Sequence, residues 1–203
     1  METTAVKRQL EIKETDSVVI RFSGDSGDGM QLTGMQFTDT TAILGNDLST
    51  FPEFPAEIRA PAGTLAGVSG FQVHFGSKEI FTPGDKYDVL VAMNAAALKA
   101  DLKNLREHGV IIVNTAGFDE RNLKLAQYPE GAHPLDDGSL DHYRLYKLDI
   151  SRLTKDSMDG LEVSAKDVDR AKNMFVLGLL FWMFERSVSN TEKFIQEKFS
   201  KKP

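Results

Sequence analysis

Apolar residues follow two patterns along the chain. Val18-Val19-Ile20-Arg21-Phe22, Asp88-Val89-Leu90-Val91-Ala92-Met93 and Val110-Ile111-Ile112-Val113 are short, nearly continuous β-branched runs of the kind found in strands buried on both faces. Phe71-Gln72-Val73-His74-Phe75 alternates strictly instead, which predicts an antiparallel strand or hairpin with one wetter face. Helical spacing covers Met30 to Leu44, with Leu32, Met35, Ala42 and Ile43 among its apolar positions and Gly45-Asn46 as a stop. A second helix is expected from Asn94 through Leu98, Leu102 and Leu105 to a Gly109 cap. A third starts at Ser164, with Asp167 in the capping-box position, and runs through Met174 to Phe184, apolar on every side. Thr191 to Phe199 forms the last helix.

Between these elements the punctuation predicts loops. Pro52, Pro55 and Pro61 argue against a regular strand over Ser49 to Pro61 and leave only a short extended piece at Glu57-Ile58-Arg59. Ala62 to Gly67 reads as flexible, and Phe118 to Asp141 as a long excursion with Pro129, Gly131, Pro134 and Gly138. Tyr143 to Ile150 alternates loosely as one more strand. Two successive strands each end in asparagine, Asn94 and Asn114, before a connection. That repetition argues for a parallel sheet with crossover helices. The expected fold is therefore an α/β, three-layer α/β/α sandwich, mostly parallel with an antiparallel hairpin. Residues 1–16, polar apart from Leu10, Ile12 and a few small side chains, read as a tail, and 17–203 as one domain.

Composition narrows the chemistry. The 203 residues carry 24 Lys plus Arg against 30 Asp plus Glu, a net charge of −6, so nucleic acid is not an expected partner. Cysteine is absent, which removes disulfides, thiolate metal sites and any iron–sulfur cluster held by this chain. No signal core is legible at the N-terminus, and the Met174–Phe184 run is too short to span a bilayer; the cytoplasm is the expected address, with no membrane partner.

Gly24-Asp25-Ser26-Gly27-Asp28-Gly29 lies between a strand and a helix, where backbone N–H groups and the helix dipole can face a phosphate or carboxylate. Its spacing is neither a dinucleotide fingerprint nor a P-loop, and Asp25 and Asp28 put negative charge where an anion would sit. The other reading is a tight turn, with Asp28 near an N-cap position. Arg59, beside proline-limited loops, is either a fork for a carboxylate or phosphate or an ion-pair partner of Glu53 or Glu57. Asn94 lies where open α/β sheets bind ligands, or else caps a helix. His74, His108, His133 and His142 have no metal-type spacing, so hydrogen-bonded or surface roles are expected.

The ordered set of Gly24 to Gly29 with Gln31-Leu32-Thr33-Gly34, Glu57-Ile58-Arg59-Ala60-Pro61, the Gly-rich lead into Phe71 to Phe75, Leu90-Val91-Ala92-Met93-Asn94 with Ala97-Leu98, Val113-Asn114 and Lys172-Asn173-Met174 resembles a known family. It is similar to the gamma-type domain of the thiamine-diphosphate-dependent 2-oxoacid:ferredoxin oxidoreductases. The likeness is greatest to the N-terminal part of the 2-oxoglutarate:ferredoxin oxidoreductase alpha subunit, where that domain is fused in front of the thiamine-binding domain. The resemblance implies CoA-dependent oxidative decarboxylation of a 2-oxoacid to an acyl-CoA, with electrons passed to ferredoxin. It places thiamine diphosphate, Mg²⁺ and the Fe–S clusters on partner segments, the alpha domain and beta subunit, and makes this chain inactive alone with no firmly bound cofactor. A contact with coenzyme A is implied for Gly24, Ser26, Gly27, Gly29, Arg59 and Asn94, with no catalytic residue and no metal ligand in this chain. Two alternatives stay open: a free-standing nucleotide- or CoA-binding module, and a pure subunit-interaction domain using the Met174–Phe184 helix.

Overall fold

The computed structural model describes residues 12–57 and 59–200. Most of the expected tail, and Ile58 of the expected extended piece, lie outside the described residues. Strands β1 (Ser17–Asp25), β2 (Asp47–Glu53), β3 (Val68–Gly76), β4 (Tyr87–Ala92), β5 (Leu105–Asn114) and β6 (Arg144–Leu148) form one sheet in the order β2-β3-β1-β4-β5-β6. The pairings β1–β4, β4–β5 and β5–β6 are parallel, while β3 runs antiparallel to both β1 and β2. Helices α1 (Met30–Ile43), α2 (Ala95–Asp101), α3 (Glu120–Leu125), α4 (Ile150–Ser157), α5 (Ala165–Arg170), α6 (Lys172–Met183) and α7 (Ser189–Phe199) complete the chain.

The expected three layers are present because the central strands bury both faces. On one face Val18, Ile20 and Phe22 of β1, Phe71, Val73 and Phe75 of β3, and Val89 and Val91 of β4 pack against Phe37 of α1 and Val176, Leu177, Leu180 and Phe181 of α6. Phe37 is the hub, with its ring centre 5.4 Å from Phe75 and 6.0 Å from Phe181. On the other face Val19, Leu90, Ala92, Ile111 and Val113 meet Ala95–Leu98 of α2, Leu123 of α3, and Leu135 and Leu140.

Several expectations are corrected. β2 is a regular strand despite Pro52, because it lies at the sheet edge, where a missing N–H interrupts no second ladder. α1 buries Thr33, Gly34, Phe37, Thr40 and Thr41, while Met35 and Ile43 face solvent: small residues admit close contact, and Gly34 lies so near Phe71 that a β-carbon would fall on its ring. The helix after Asn94 stops at Asp101; a short turn follows, and Leu105 to Gly109 belong to β5, Leu105 pairing with Tyr87. Gly109 is therefore no helix cap. The excursion contains α3, capped by Asp119, and buries Leu123, Ala126, Leu135 and Leu140. The strand over Tyr143 to Ile150 ends at Leu148, and Ile150 opens α4 behind an Asp149 cap. Ser164 does cap a helix, but that helix is α5; the helical run is interrupted at Ala171 before α6 begins. Gln72 is buried, so the wetter face of β3 is not wet there. Finally, α6 buries Val176, Leu177, Leu180 and Phe181 against its own domain and leaves Trp182 63% exposed.

Candidate functional site

Parallel pairing of β1 with β4 sets Ser23 beside Ala92, and the Met93 N–H donates to the Ser23 carbonyl at 3.0 Å. The glycine loop after β1 and Asn94 after β4 are thereby neighbours at the carboxyl ends of the strands. Within the loop the Asp28 N–H donates to the Asp25 carbonyl at 2.9 Å, and Asp28 Oδ2 accepts from the Asp25 N–H at 2.8 Å. Gly24 is needed inside this turn, since a β-carbon there would stand 2.8 Å from Asp28 Oδ2. Gly29 takes a left-handed φ of 73°, and a β-carbon on it would strike the Asn173 amide at the start of α6.

Gly29 is also the N-cap of α1, and no side chain caps that helix. Asp28, one residue before the cap, bonds back to Asp25 rather than forward, so the first-turn amides of α1 are not taken by it. Ser26 and Gly27 form the exposed tip, and around Gly27 there is open space within 4 Å. Asn94 Oδ1 accepts from the Ala97 N–H at 2.9 Å, so this asparagine does cap α2. Asn114 has the same position one strand over and binds Ser151 at the start of α4.

The two acids of the loop are turned inward. Both oxygens of Asp25 accept from the Gly63 N–H, at 3.0 and 2.9 Å, and the Asn94 side chain lies against the same carboxylate. Burial pushes the Asp25 carboxyl above its ordinary value, against the opposing pull of Gly63, Asn94 and Lys172. Asp28 is raised too, by burial first and then by Asp25 and Asp169, with the Asp25 N–H and Lys172 opposing. Gly63 sits at φ 81° in a turn closed by Thr64 Oγ1 donating to the Pro61 carbonyl at 2.7 Å. Arg59, exposed at φ 66°, opens the same connection, and among the described residues it has no ion pair with Glu53 or Glu57. Glu53 is the partner of Arg21.

The structure thus gathers Gly24, Ser26, Gly27, Gly29 and Asn94 at one place and ties the Arg59 connection to them through Gly63. Asp25 as a tether is not legible from the sequence, where it counts only as misplaced charge. Nor is Arg21, a buried cation inside an apolar run, which lies 3.2 Å from Asp101 and pairs with Glu53. Of the histidines, His74 and His108 meet backbone carbonyls and His133 lies 3.1 Å from Asp136.

Residues 19–203 match the family described as pyruvate ferredoxin/flavodoxin oxidoreductase. The chain belongs to this family. It is 52% identical over 188 residues to the 2-oxoglutarate oxidoreductase subunit KorA of Mycobacterium tuberculosis, which covers 93% of this chain and 28% of that protein. Its fold superposes with a TM-score of 0.68 and 25% identity on a 2-oxoglutarate:ferredoxin oxidoreductase from Magnetococcus marinus solved with 2-oxoglutarate, coenzyme A and succinyl-CoA bound, again covering 94% of this chain and 28% of the other. The gamma subunit of a keto/oxoacid ferredoxin oxidoreductase from Geobacter sulfurreducens shares the fold, with a TM-score of 0.54 at 18% identity over 82% of this chain and 75% of that one. The chain therefore spans little more than a quarter of the length of the first two.

The side chains of the site suit some of the groups the resemblance implies and not others. Among the described residues no three His, Asp or Glu side chains are grouped to hold a metal ion. A chain without cysteine offers no thiolates to an iron–sulfur cluster. The residues do not fit such a cluster. For an anionic ligand they do fit: uncapped amides at the start of α1, an exposed tip at Ser26-Gly27, and an arginine on the adjoining connection. Among the described residues no helix is long and apolar enough to cross a membrane.

Proposed function

We propose that this chain is the gamma-type domain of a 2-oxoglutarate:ferredoxin oxidoreductase. The overall reaction joins 2-oxoglutarate and coenzyme A into succinyl-CoA, releases carbon dioxide, and passes an electron pair to ferredoxin. The observation that carries the reading is 52% identity to a 2-oxoglutarate oxidoreductase subunit across nearly the whole chain, together with likeness to a structure that holds the 2-oxoacid, coenzyme A and the product thioester. Residues 17–203 act as one domain behind a polar leader, residues 1–16. Thiamine diphosphate, Mg²⁺ and the clusters belong to partner segments, the thiamine-binding alpha domain and the beta subunit, and ferredoxin is met through the assembled enzyme in the cytoplasm.

The chain's own part is to receive an anionic portion of coenzyme A. The α1 amides and the Gly24–Gly29 loop face the ligand's phosphate, Ser26 adds a hydroxyl at the tip, and Arg59 supplies a countercharge from the adjoining connection. Asn94 supports the loop from the α2 cap. No residue of this chain attacks the 2-oxoacid, so the role is to bind and orient a reactant whose thiol reacts elsewhere.

Two assays test the reading. Isolated chain mixed with 2-oxoglutarate, coenzyme A, thiamine diphosphate, Mg²⁺ and a viologen dye should give no reduction. The native enzyme that carries the chain should reduce the dye only when 2-oxoglutarate and coenzyme A are both present. Turnover by the isolated chain, or a native enzyme indifferent to coenzyme A, overturns the proposal.

A further inference from the structure

An acid in a loop meant to face an anion is a conflict unless its charge is used elsewhere. Asp25 resolves it by where its oxygens go. Both accept from the Gly63 N–H, across 38 residues of sequence, while the loop's other acid, Asp28, is engaged with the Asp25 N–H. The Gly63 turn needs its left-handed conformation, and a β-carbon there would crowd Asn122 Oδ1 at 3.0 Å and Leu125 of α3 at 3.3 Å. The turn is thus held from behind by α3 and from the front by Asp25. Asn94 lies against the same carboxylate while its Oδ1 caps α2, and Lys172 at the start of α6 faces it electrostatically. Next to Lys172, Asn173 packs on Gly29, and its backbone carbonyl accepts from Thr33 Oγ1 of α1 at 3.3 Å.

Two segments with separate origins in the chain are therefore hydrogen-bonded at one carboxylate, the glycine loop and the Pro61–Thr64 turn, with the Asn94 cap of α2 beside it and Lys172, itself paired with Asp169 at 2.7 Å, near enough to act on its charge. We infer that Asp25 is the positioning residue of this site, tying the connection that carries Arg59 to the glycine loop and so setting the mouth through which an anionic ligand reaches the α1 amides. The inference rests on the reading of the loop as a coenzyme A contact. The half-buried position of Asp25 agrees with it, since a group left free to attract or repel ligand would be expected at the exposed tip, where Ser26 and Gly27 stand instead.

The test uses the holoenzyme with coenzyme A as the probe. Asp25→Ala should raise the KM for coenzyme A about tenfold, leaving kcat at saturating coenzyme A and the KM for 2-oxoglutarate within about twofold. Asp25→Asn keeps an acceptor oxygen for the Gly63 N–H and should recover more than half of the loss on a logarithmic scale. Hydrogen exchange should show the Gly63 amide losing protection in Asp25→Ala and retaining most of it in Asp25→Asn. Gly27→Asp, which adds charge in open space, separates positioning from ligand binding. If Gly27→Asp raises the KM for coenzyme A and Asp25→Ala does not, the positioning role is overturned and the ligand reading stands. If neither does, the ligand reading falls and the positioning role with it. Equal losses in kcat/KM for both substrates, or unchanged Gly63 exchange in Asp25→Ala, also overturn the inference. Should the alanine variant fail to fold, the Asn variant carries the same comparison, with a KM shift smaller than that of Gly27→Asp.

Discussion

Replacing Arg21 with methionine is the sharpest perturbation of the fold. β1 is hydrogen-bonded on both sides, by β3 and β4, and Arg21 points from its middle onto the α2 face with 2% of its surface exposed. The guanidinium lies across Gly70, where a β-carbon would occupy its place, and reaches Glu53 on the edge strand. Its Nε stands 3.2 Å from Asp101 Oδ1 without an aligned hydrogen bond, and its Cζ is 5.8 Å from the Tyr87 ring centre. Burial alone would lower the Arg21 pKa, but Asp101, Tyr87 and Glu53 outweigh it and the net shift is upward. Glu53 is half in solvent, whereas the Asp101 side chain is only 7% exposed and its Oδ2 has no partner among the described residues. Arg21→Met would leave that carboxylate buried without its cation, a change that costs about 3–5 kcal/mol when a buried pair loses one member. An exposed pair such as Lys78–Asp16, 73% and 71% exposed, is worth about 0–1 kcal/mol. Urea denaturation followed by far-UV circular dichroism gives both numbers on the same chain. Adding Asp101→Asn to Arg21→Met should recover about 1–3 kcal/mol, because the stranded charge is gone. A loss below about 1 kcal/mol for Arg21→Met, equal to that of Lys78→Met, would refute the reading of Arg21 as the cation that compensates the buried Asp101 carboxylate.

Other consequences are equally concrete. Gly27→Ala should leave the KM for coenzyme A unchanged, since its methyl meets open space, while Gly27→Asp should raise it roughly tenfold through a repulsion of about 1–2 kcal/mol; steady-state kinetics of the holoenzyme checks the pair. Gly34→Ala places a methyl on the Phe71 ring and should destabilise the domain by about 1–3 kcal/mol, read as a lower denaturation midpoint. Asp28 holds its proton more tightly in the folded state, chiefly because it is buried, so its contribution is best below the ordinary carboxylate pKa of 3.8 and declines as pH rises through the raised value. Asp28→Asn should therefore gain stability relative to wild type as pH rises above 3.8, and a gain that grows toward acid would contradict the assignment.

The long apolar runs were legible because burial on both faces leaves an unbroken signature: β1, β4 and the Val110–Val113 part of β5 stand where the pattern puts them. So was the cap at Ser164, while the cap at Asn94 is one of two readings the sequence leaves open; both side chains bond the amides three residues on. What misled was local grammar overruled by position. Pro52 forbids a central strand, but β2 is an edge. Leu102 and Leu105 continue a helical spacing, yet Leu105 is claimed by Tyr87 across the sheet. The buried side of α1 is made of Thr33, Gly34, Thr40 and Thr41 around Phe37, a face that a count of large apolar residues passes over. At the site, the glycines and Asn94 could be placed from their spacing. The roles of Asp25 and Arg21 could not, since each depends on a partner tens of residues away, Gly63 for one and Glu53 and Asp101 for the other.

The most direct test of the proposed role is immunodepletion. An antibody raised against this chain, used under native conditions on extract of the cells that make it, should remove the 2-oxoglutarate- and CoA-dependent reduction of viologen dye and leave pyruvate-dependent reduction in place. Undiminished 2-oxoglutarate-dependent reduction in extract shown to be free of the chain would contradict the account.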